Sequence, residues 1–163
     1  MRQSKFKKSL IAVIASALAL TLTGCGAGPN AETRLIKRVT DGNEVILKEN
    51  GANISVSNLL LVALEDGSAV VIGTFVNYSE DDDSLVGLSV NGIPAVITGE
   101  TTLKQNAPLR FEGDTATTKG VFNAVGAAAG VNIPLTLSFE RAGDVTVNVI
   151  VRDKRDDYRN VTK

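Results

Sequence analysis

Apolar and polar side chains alternate most regularly near the end of the chain, over residues 133–153. On both sides of a turn sequence at 141–144, every second residue is apolar: Leu135, Leu137, Phe139, Val145, Val147, Val149 and Val151. A period of two is typical of strands that bury one face, and a short glycine-containing segment between two such strands favours a hairpin. The pattern therefore predicts an antiparallel hairpin with one buried and one mostly polar face.

Shorter apolar segments upstream predict further strands. The longest covers residues 53–66, where Ile54 and Val56 alternate with serines and residues 59–62 are continuously apolar. Such a change is expected where a strand bends or moves into the interior of a sheet. The other predicted elements are strands at 44–48, 68–77, 85–90, 94–98 and 108–113, turns at Asp66-Gly67 and Asn91-Gly92, and a Gly/Ala-rich loop at 123–132.

Strands of this number and spacing predict an all-β domain. Seven or eight short strands separated by turn signals are typical of an antiparallel β-sandwich, which we place at residues 35–153. Residues 154–163 are predicted to be a charged C-terminal tail, and we expect this tail to fray.

The first 24 residues have the layout of a secretory signal helix. Residues 10–22 are apolar, and the segment before them carries only positive charges: Arg2, Lys5, Lys7 and Lys8. This run of 13 residues is shorter than the roughly 20 that span a bilayer as a helix. A permanent transmembrane anchor is therefore the weaker alternative to a cleaved signal.

The signal ends in Leu22-Thr23-Gly24-Cys25, which resembles the lipobox of bacterial lipoproteins. The resemblance implies a signal peptide over residues 1–24 and a diacylglyceryl group on the thiol of Cys25, which becomes the N-terminus. Residues 25–34 are small and polar and would form a tether. Two acyl chains hold a protein stably on a membrane. Cys25 is therefore predicted to anchor the chain at the extracytoplasmic face of the cell membrane, rather than to be a free buried thiol.

Composition excludes several kinds of partner. Removal of residues 1–24 leaves 13 basic and 18 acidic residues, a net charge of −5. Nucleic-acid binding requires a basic face, and attraction to anionic lipid requires basic clusters. We therefore predict no nucleic-acid partner, and we expect the hold on the membrane to come from the acylated cysteine.

The chain also lacks the side chains of the commonest catalytic and metal sites. It contains no His and no Trp, and its single Met is Met1. Histidine is the most frequent general base and the most frequent metal ligand, and acylation would remove the only thiol. We therefore predict that the protein is not an enzyme and that it has no cofactor, no catalytic residue and no metal-ligating residue.

The final hairpin, Val131 to Arg152, resembles the C-terminal hairpin of the periplasmic copper chaperone (PCuAC) family. Residues 53–90 are similar to the first half of that family, with Asn77 and the acidic segment after it in the family's Asn–gap–Asp-x-Leu-x-Gly region. The resemblance covers residues 53–152 and implies a β-sandwich of the cupredoxin-like, or more broadly immunoglobulin-like, type.

The same resemblance implies where copper ligands would stand. The family binds Cu(I) through His and Met, which suit this soft ion, and one His-x-Met pair precedes the last hairpin. Counting back from Ile133 places that pair near Thr117-Thr118-Lys119. None of these residues is a soft ligand, so the fold is expected to carry over without the copper site.

Three other features of the sequence are possible sites. Four acids at 80–83 could bind Ca²⁺, but their consecutive spacing favours a solvated loop. The carboxylates of residues 153–157 could form an acid–base pair, but they lie in the predicted tail. Phe122 would be a contact residue if the Gly/Ala loop exposed it.

These observations predict a lipid-anchored, extracytoplasmic β-sandwich that acts as a binding or assembly module and has lost metal binding. Its partner would be a protein or a small molecule, and we expect the protein to be a monomer. The alternative is a copper chaperone of the PCuAC type that uses other ligands, such as the N-terminal amine or carboxylates.

Overall fold

The computed structural model describes residues 40–163. The predicted signal peptide (1–24), the tether (25–34) and Cys25 lie outside the described residues, so these predictions remain untested by the structure. The described part of the chain contains eleven strands and one 3₁₀ helix. They are β1 (Asn43–Leu47), β2 (Ile54–Ala63), β3 (Ala69–Asn77), β4 (Asp83–Val90), β5 (Ile93–Pro94), β6 (Val96–Gly99), β7 (Thr102–Leu103), β8 (Pro108–Arg110), β9 (Thr118–Phe122), β10 (Asn132–Phe139), β11 (Gly143–Asp153) and η1 (Asp156–Tyr158).

The strands form one mixed sheet, in the order β5-β4-β10-β11-β2-β3-β9-β6. Outside this path, β1 pairs with β2, β7 pairs with β4, and β8 pairs with β3. Because β5 and β6 stand at opposite ends of the order and are separated only by Ala95, the sheet curls nearly into a barrel. The predicted all-β class is confirmed, with one parallel pair in which Val151–Asp153 of β11 run beside Leu61–Ala63 of β2.

The core lies inside the curved sheet and follows the predicted alternation. In β10, Leu135, Leu137 and Phe139 are buried, whereas the residues between them are half-exposed. The Phe75 ring centroid lies 5.1 Å from that of Phe111 and 6.3 Å from that of Phe139, in tilted pairs that favour close aromatic packing.

Close packing also explains two residues of β9. Phe122 is fully buried and is therefore a core residue rather than a contact residue. A Cβ atom at Gly120 would lie 3.2 Å from side chains of Leu88, Phe111 and Val71, so a larger residue here would require these side chains to shift.

The bend predicted in β2 occurs at Asn58. Its φ of 54° lies in the left-handed region, and the register of β2 against β3 shifts between Ser57 and Leu60. The Asn58 side chain accepts a hydrogen bond from the backbone N–H of Gly42 at 3.0 Å. This bulge places Leu59 in the inner core and Leu60 on the outer face, which explains the continuous apolar run.

The strands that the sequence did not reveal are short or poor in apolar residues. β7 contains two residues, and β9 has the sequence Thr-Lys-Gly-Val-Phe. The hairpin predicted after Asn91-Gly92 is also only partly formed, because β5 pairs with β4 for two residues before the chain moves on to pair β6 with β9.

The C-terminal segment covers the outer face of the sheet, and the expectation that it frays is wrong. Leu60, Val62, Val70 and Ile72 form a second apolar cluster on that face, and Val161, 3% exposed, packs into it. The Lys119 ammonium donates a hydrogen bond to the Thr162 carbonyl at 2.8 Å. Lys163 forms an ion pair with Asp66 and, with the Ser68 hydroxyl, holds the pKa of that carboxyl below its usual range.

Because Val161 supplies the apolar contact of this segment, Val161→Asp should lower the free energy of unfolding by about 1–3 kcal/mol. The matched control is Asn160→Asp, which places the same charge on an exposed neighbour and should change stability by less than about 0.5 kcal/mol. Urea unfolding of both variants measures the difference. Equal stabilities would show that the segment does not contribute to folding.

Candidate functional site

Asp83, the last acid of the run at 80–83, joins three elements of the fold. Its carboxylate, 6% exposed, accepts hydrogen bonds from the backbone N–H groups of Ser84 (2.7 Å), Arg141 (2.9 Å) and Ala142 (3.0 Å). Two of these donors belong to the turn between β10 and β11. A buried carboxylate needs such donors, so Asp83 fixes the turn of the last hairpin against the start of β4.

Asn77 fixes the loop that leads to Asp83. This fully buried side chain donates hydrogen bonds to the carbonyls of Asp81 (2.8 Å) and Leu103 (3.0 Å), and its oxygen accepts one from the Ser79 N–H at 2.9 Å. All three hydrogen bonds of this side chain are therefore made to backbone groups of the protein itself. The Asn–gap–Asp segment noted in the sequence is therefore a structural device of the fold.

The acidic run divides into one buried and three exposed carboxylates. Glu80, Asp81 and Asp82 are exposed, as expected for a solvated loop, and Asp81 pairs with Arg141 at 2.8 Å. The expectation is wrong for Asp83, because the backbone donors of the hairpin turn draw it into the interior. Within residues 40–163 no cluster of three or more Cys, Asp or Glu side chains has metal-binding geometry.

Thr117, Thr118 and Lys119 lie in an open groove where β9 pairs with the edge strand β6. The groove is lined by Thr98, Gly99, Ala116, Thr117, Thr118 and Lys119. Gly99 has a φ of 93°, and a Cβ atom there would stand 2.3 Å from the Thr117 carbonyl oxygen. Position 99 therefore cannot project a side chain into the groove.

Three polar side chains of this groove make hydrogen bonds within the protein. The buried Thr118 hydroxyl donates to the Glu100 carbonyl at 2.5 Å, and the Thr117 hydroxyl accepts from the Arg110 N–H at 3.4 Å. Lys119 holds Thr162 of the C-terminal segment. An ammonium has no lone pair to offer a metal, and hydroxyl oxygens are hard donors unsuited to Cu(I). The donor set of the groove does not fit Cu(I).

A second groove is charged and lies where β11 ends. It is lined by Asp41, Arg152, Asp153, Arg155, Asp156, Asp157 and Tyr158. Arg152 pairs with Asp41 at 2.8 Å and holds the pKa of that carboxyl below its usual range. The Tyr158 hydroxyl donates to the same carboxylate at 3.2 Å, and burial together with the charge of Asp41 raises the pKa of Tyr158.

The carboxylates of this groove are not arranged as an acid–base pair. Asp153 forms an ion pair with Arg155, which lowers the pKa of the carboxyl, just as Asp41 pairs with Arg152. A general acid requires a raised carboxyl pKa. The charge pairs that line this groove therefore join the beginning of the described chain to its C-terminal segment.

No helix in residues 40–163 is both long and apolar enough to cross a bilayer.

Comparison with solved structures identifies similar folds. The apo PCuAC domain from PmoF1 superposes with a TM-score of 0.57 at 21% sequence identity, covering 68% of this chain and 99% of that domain. The copper-bound PCuAC domain from PmoF2 gives a TM-score of 0.56 at 20% identity, covering 68% and 98%. The apo PmoF2 PCuAC domain gives 0.57 at 16% identity, covering 70% and 98%.

The chain thus shares the fold of PCuAC domains over nearly their whole length. A scan of protein-family models and a search of curated proteins gave no match. At these identities the likeness concerns the fold.

Because Asp83 satisfies three backbone donors, Asp83→Asn should be strongly destabilising. An amide offers one acceptor oxygen where the carboxylate offers two, so at least one N–H of the hairpin turn loses its partner. We expect a loss of about 1–3 kcal/mol in the free energy of unfolding, measured in urea. Asp82→Asn is the control on an exposed neighbour and should change stability by less than about 0.5 kcal/mol; similar losses in both variants would contradict the role given to Asp83.

Proposed function

We propose that this protein is a lipid-anchored, extracytoplasmic binding or assembly module that keeps the fold of a copper chaperone without its copper site. The observation that carries the proposal is the groove between β6 and β9. The count back from Ile133 puts the family's His-x-Met pair near Thr117-Thr118-Lys119, and the side chains of Thr117 and Lys119 make hydrogen bonds within the protein. These contacts give the positions a structural role in place of metal binding.

Anchoring is supported by the sequence of the first 25 residues. A positively charged start, a short apolar segment and Leu-Thr-Gly-Cys follow one another in the order of a lipoprotein signal. The folded part is acidic, with 17 Asp and Glu against 10 Lys and Arg in residues 40–163. Charge therefore gives no attraction to anionic lipid, and Cys25 is the group that would hold the protein on the membrane.

A binding function agrees better with the side chains of the domain than a catalytic function does. Catalysis by carboxylates needs two groups held close together with their pKa values moved apart. In the described residues the carboxyls with displaced pKa values are lowered by cationic partners, as at Asp41 and Asp153. We infer a protein or small-molecule partner and no chemical step.

The competing function is copper carriage through the N-terminal amine or through carboxylates. Cu(I) prefers soft thioether, thiolate and imidazole ligands, and residues 26–163 contain no Met, Cys or His. Oxygen ligands would leave the ion weakly held, which is why this function ranks second.

Direct copper titration distinguishes the two functions. The chain from residue 26 onward contains no thiol and should not compete with a Cu(I) chelator of micromolar affinity. The PmoF2 PCuAC domain, which has been solved with copper bound, is the positive control. Sub-micromolar binding of Cu(I) or Cu(II) by this chain would overturn the loss of metal binding.

The anchor is tested on the protein isolated from membranes. Mass spectrometry should show an N-terminal Cys25 that carries a diacylglyceryl group and no residues 1–24. Cys25→Ser should release the protein from the membrane fraction, because the acidic domain has no other strong hold on lipid. A Cys25→Ser protein that stays membrane-bound after signal cleavage would refute lipid attachment.

A further inference from the structure

The first part of β11 forms an edge of the sheet. Residues 143–150 pair with β10 on one side, and β11 pairs with β2 on the other side only over Val151–Asp153. Among residues 40–163, no strand pairs with residues 143–150 on the side away from β10. Such an edge presents backbone N–H and C=O groups with which another strand can pair.

The hydrogen bonds of Val151 show which backbone groups of this edge point outward. The Val151 N–H donates to the Val131 carbonyl, and the Val151 carbonyl accepts from the Gly130 N–H, both at 2.8 Å. The register of β11 against β10 continues without a shift over residues 143–150, and the backbone groups of alternate residues point to opposite sides of a strand. The valines of β11 therefore direct their backbone groups toward β10. The residues between them direct these groups away from it: Asp144, Thr146 and Asn148.

This edge lacks the features that usually prevent edge strands from pairing. Natural proteins protect such edges with charged side chains, prolines or bulges. Residues 145–151 have the sequence Val-Thr-Val-Asn-Val-Ile-Val, which contains no charge, no Pro and no Gly. By contrast, β5 contains Pro94, and β1 contains Glu44 and is followed by Lys48. A segment with the composition of residues 145–151 pairs readily with an identical segment.

Two core residues of β11 remain half-exposed at this edge. Val145 and Val147 pack against the main core cluster, and both side chains are still partly accessible to water. Val149, further along the strand, is fully buried. A strand added beside residues 143–148 would remove apolar surface of Val145 and Val147 from water, which favours its binding.

The edges of two copies are complementary to each other. An antiparallel pair with a two-fold axis at Thr146 places this residue opposite Thr146 of the other copy. The same axis places Val145 opposite Val147 of the other copy. Asp144 lies opposite Asn148, whose amide is a hydrogen-bond donor for the carboxylate. No like charges face each other in this register, and the outward backbone groups of both copies are joined.

We propose that this edge of β11 pairs with the same edge of a second copy, so that two domains share one continuous sheet. The contact covers only residues 144–148 of each copy, and it is therefore smaller than the roughly 1,200–2,000 Å² of a standard protein interface. Attachment of both copies to one membrane raises their local concentration, so that a weak contact suffices. The strength of the pairing thus rests on the proposed lipid anchor, and the monomer expected from the sequence is the form of the domain in dilute solution.

Disulfide trapping in the complete lipidated protein tests this pairing. Because acylation blocks Cys25, an introduced cysteine is the only free thiol. Thr146→Cys places one thiol on each side of the two-fold axis, with the two Cα atoms about 5.5 Å apart, which is within the range of a disulfide. Each variant is reconstituted in phosphatidylcholine vesicles and oxidised with diamide, and the covalent dimer is measured on a gel without reductant.

Two other threonines provide the matched controls. Thr136 of β10 lies beside Thr146, with the two hydroxyls 2.8 Å apart. In the proposed pair, the two Cα atoms at position 136 would stand roughly 14 Å apart, too far for Thr136→Cys to form a disulfide. Thr98 is an exposed residue of β6, so Thr98→Cys measures chance collisions between anchored copies.

We expect Thr146→Cys to give several-fold more covalent dimer than Thr136→Cys and Thr98→Cys. Equal dimer fractions in the three variants, in proteins that float with the vesicles, would overturn the pairing and leave the lipid anchor intact. Absence of dimer from a floating Thr146→Cys protein would also overturn it, including the case in which another segment of the chain covers the edge. A protein that does not float would refute the anchor itself, and the pairing on the membrane with it.

Discussion

The arrangement of the sandwich depends on the hydrogen bonds that the carboxylate of Asp83 accepts. Three backbone N–H groups converge on it, two of them from the turn that joins β10 to β11. A buried carboxylate with these donors is satisfied, and without it the donors would be buried and unpaired. Asn77 fixes the preceding loop in the same way. The acidic run at 80–83 resembled a possible metal-binding loop, and these contacts instead give it a role in folding.

Regular alternation of apolar residues made much of the fold predictable. It identified β2, β3 and the β10–β11 hairpin, and the change of pattern after Ser57 lies where the register of β2 against β3 shifts. β9 escaped detection because only Val121 and Phe122 of its five residues are large and apolar. The packing of Val161 could not be anticipated either, since its contacts lie on β2 and β3, almost a hundred residues away. Burial of such a residue depends on distant strands rather than on its neighbours.

The residue types in the groove between β6 and β9 could be predicted from the sequence, but the contacts of these residues could not. The absence of His, and of any Met after Met1, argued against a copper site, and the count back from Ile133 put the expected ligand pair near Thr117-Thr118-Lys119. The sequence could not show that Lys119 reaches Thr162 across the groove. The likeness to PCuAC domains thus concerns the fold, and the side chains of Thr117, Thr118 and Lys119 make hydrogen bonds within the protein.

The proposed function requires that the groove between β6 and β9 does not bind copper. The most direct measurement follows the amide signals of ¹⁵N-labelled protein by NMR while Cu(I) is added without oxygen. We expect the amide signals of Thr117, Thr118 and Lys119 to keep their positions at stoichiometric copper. Saturable shifts confined to these residues and their neighbours on β6 would show a copper site in the groove and would contradict it.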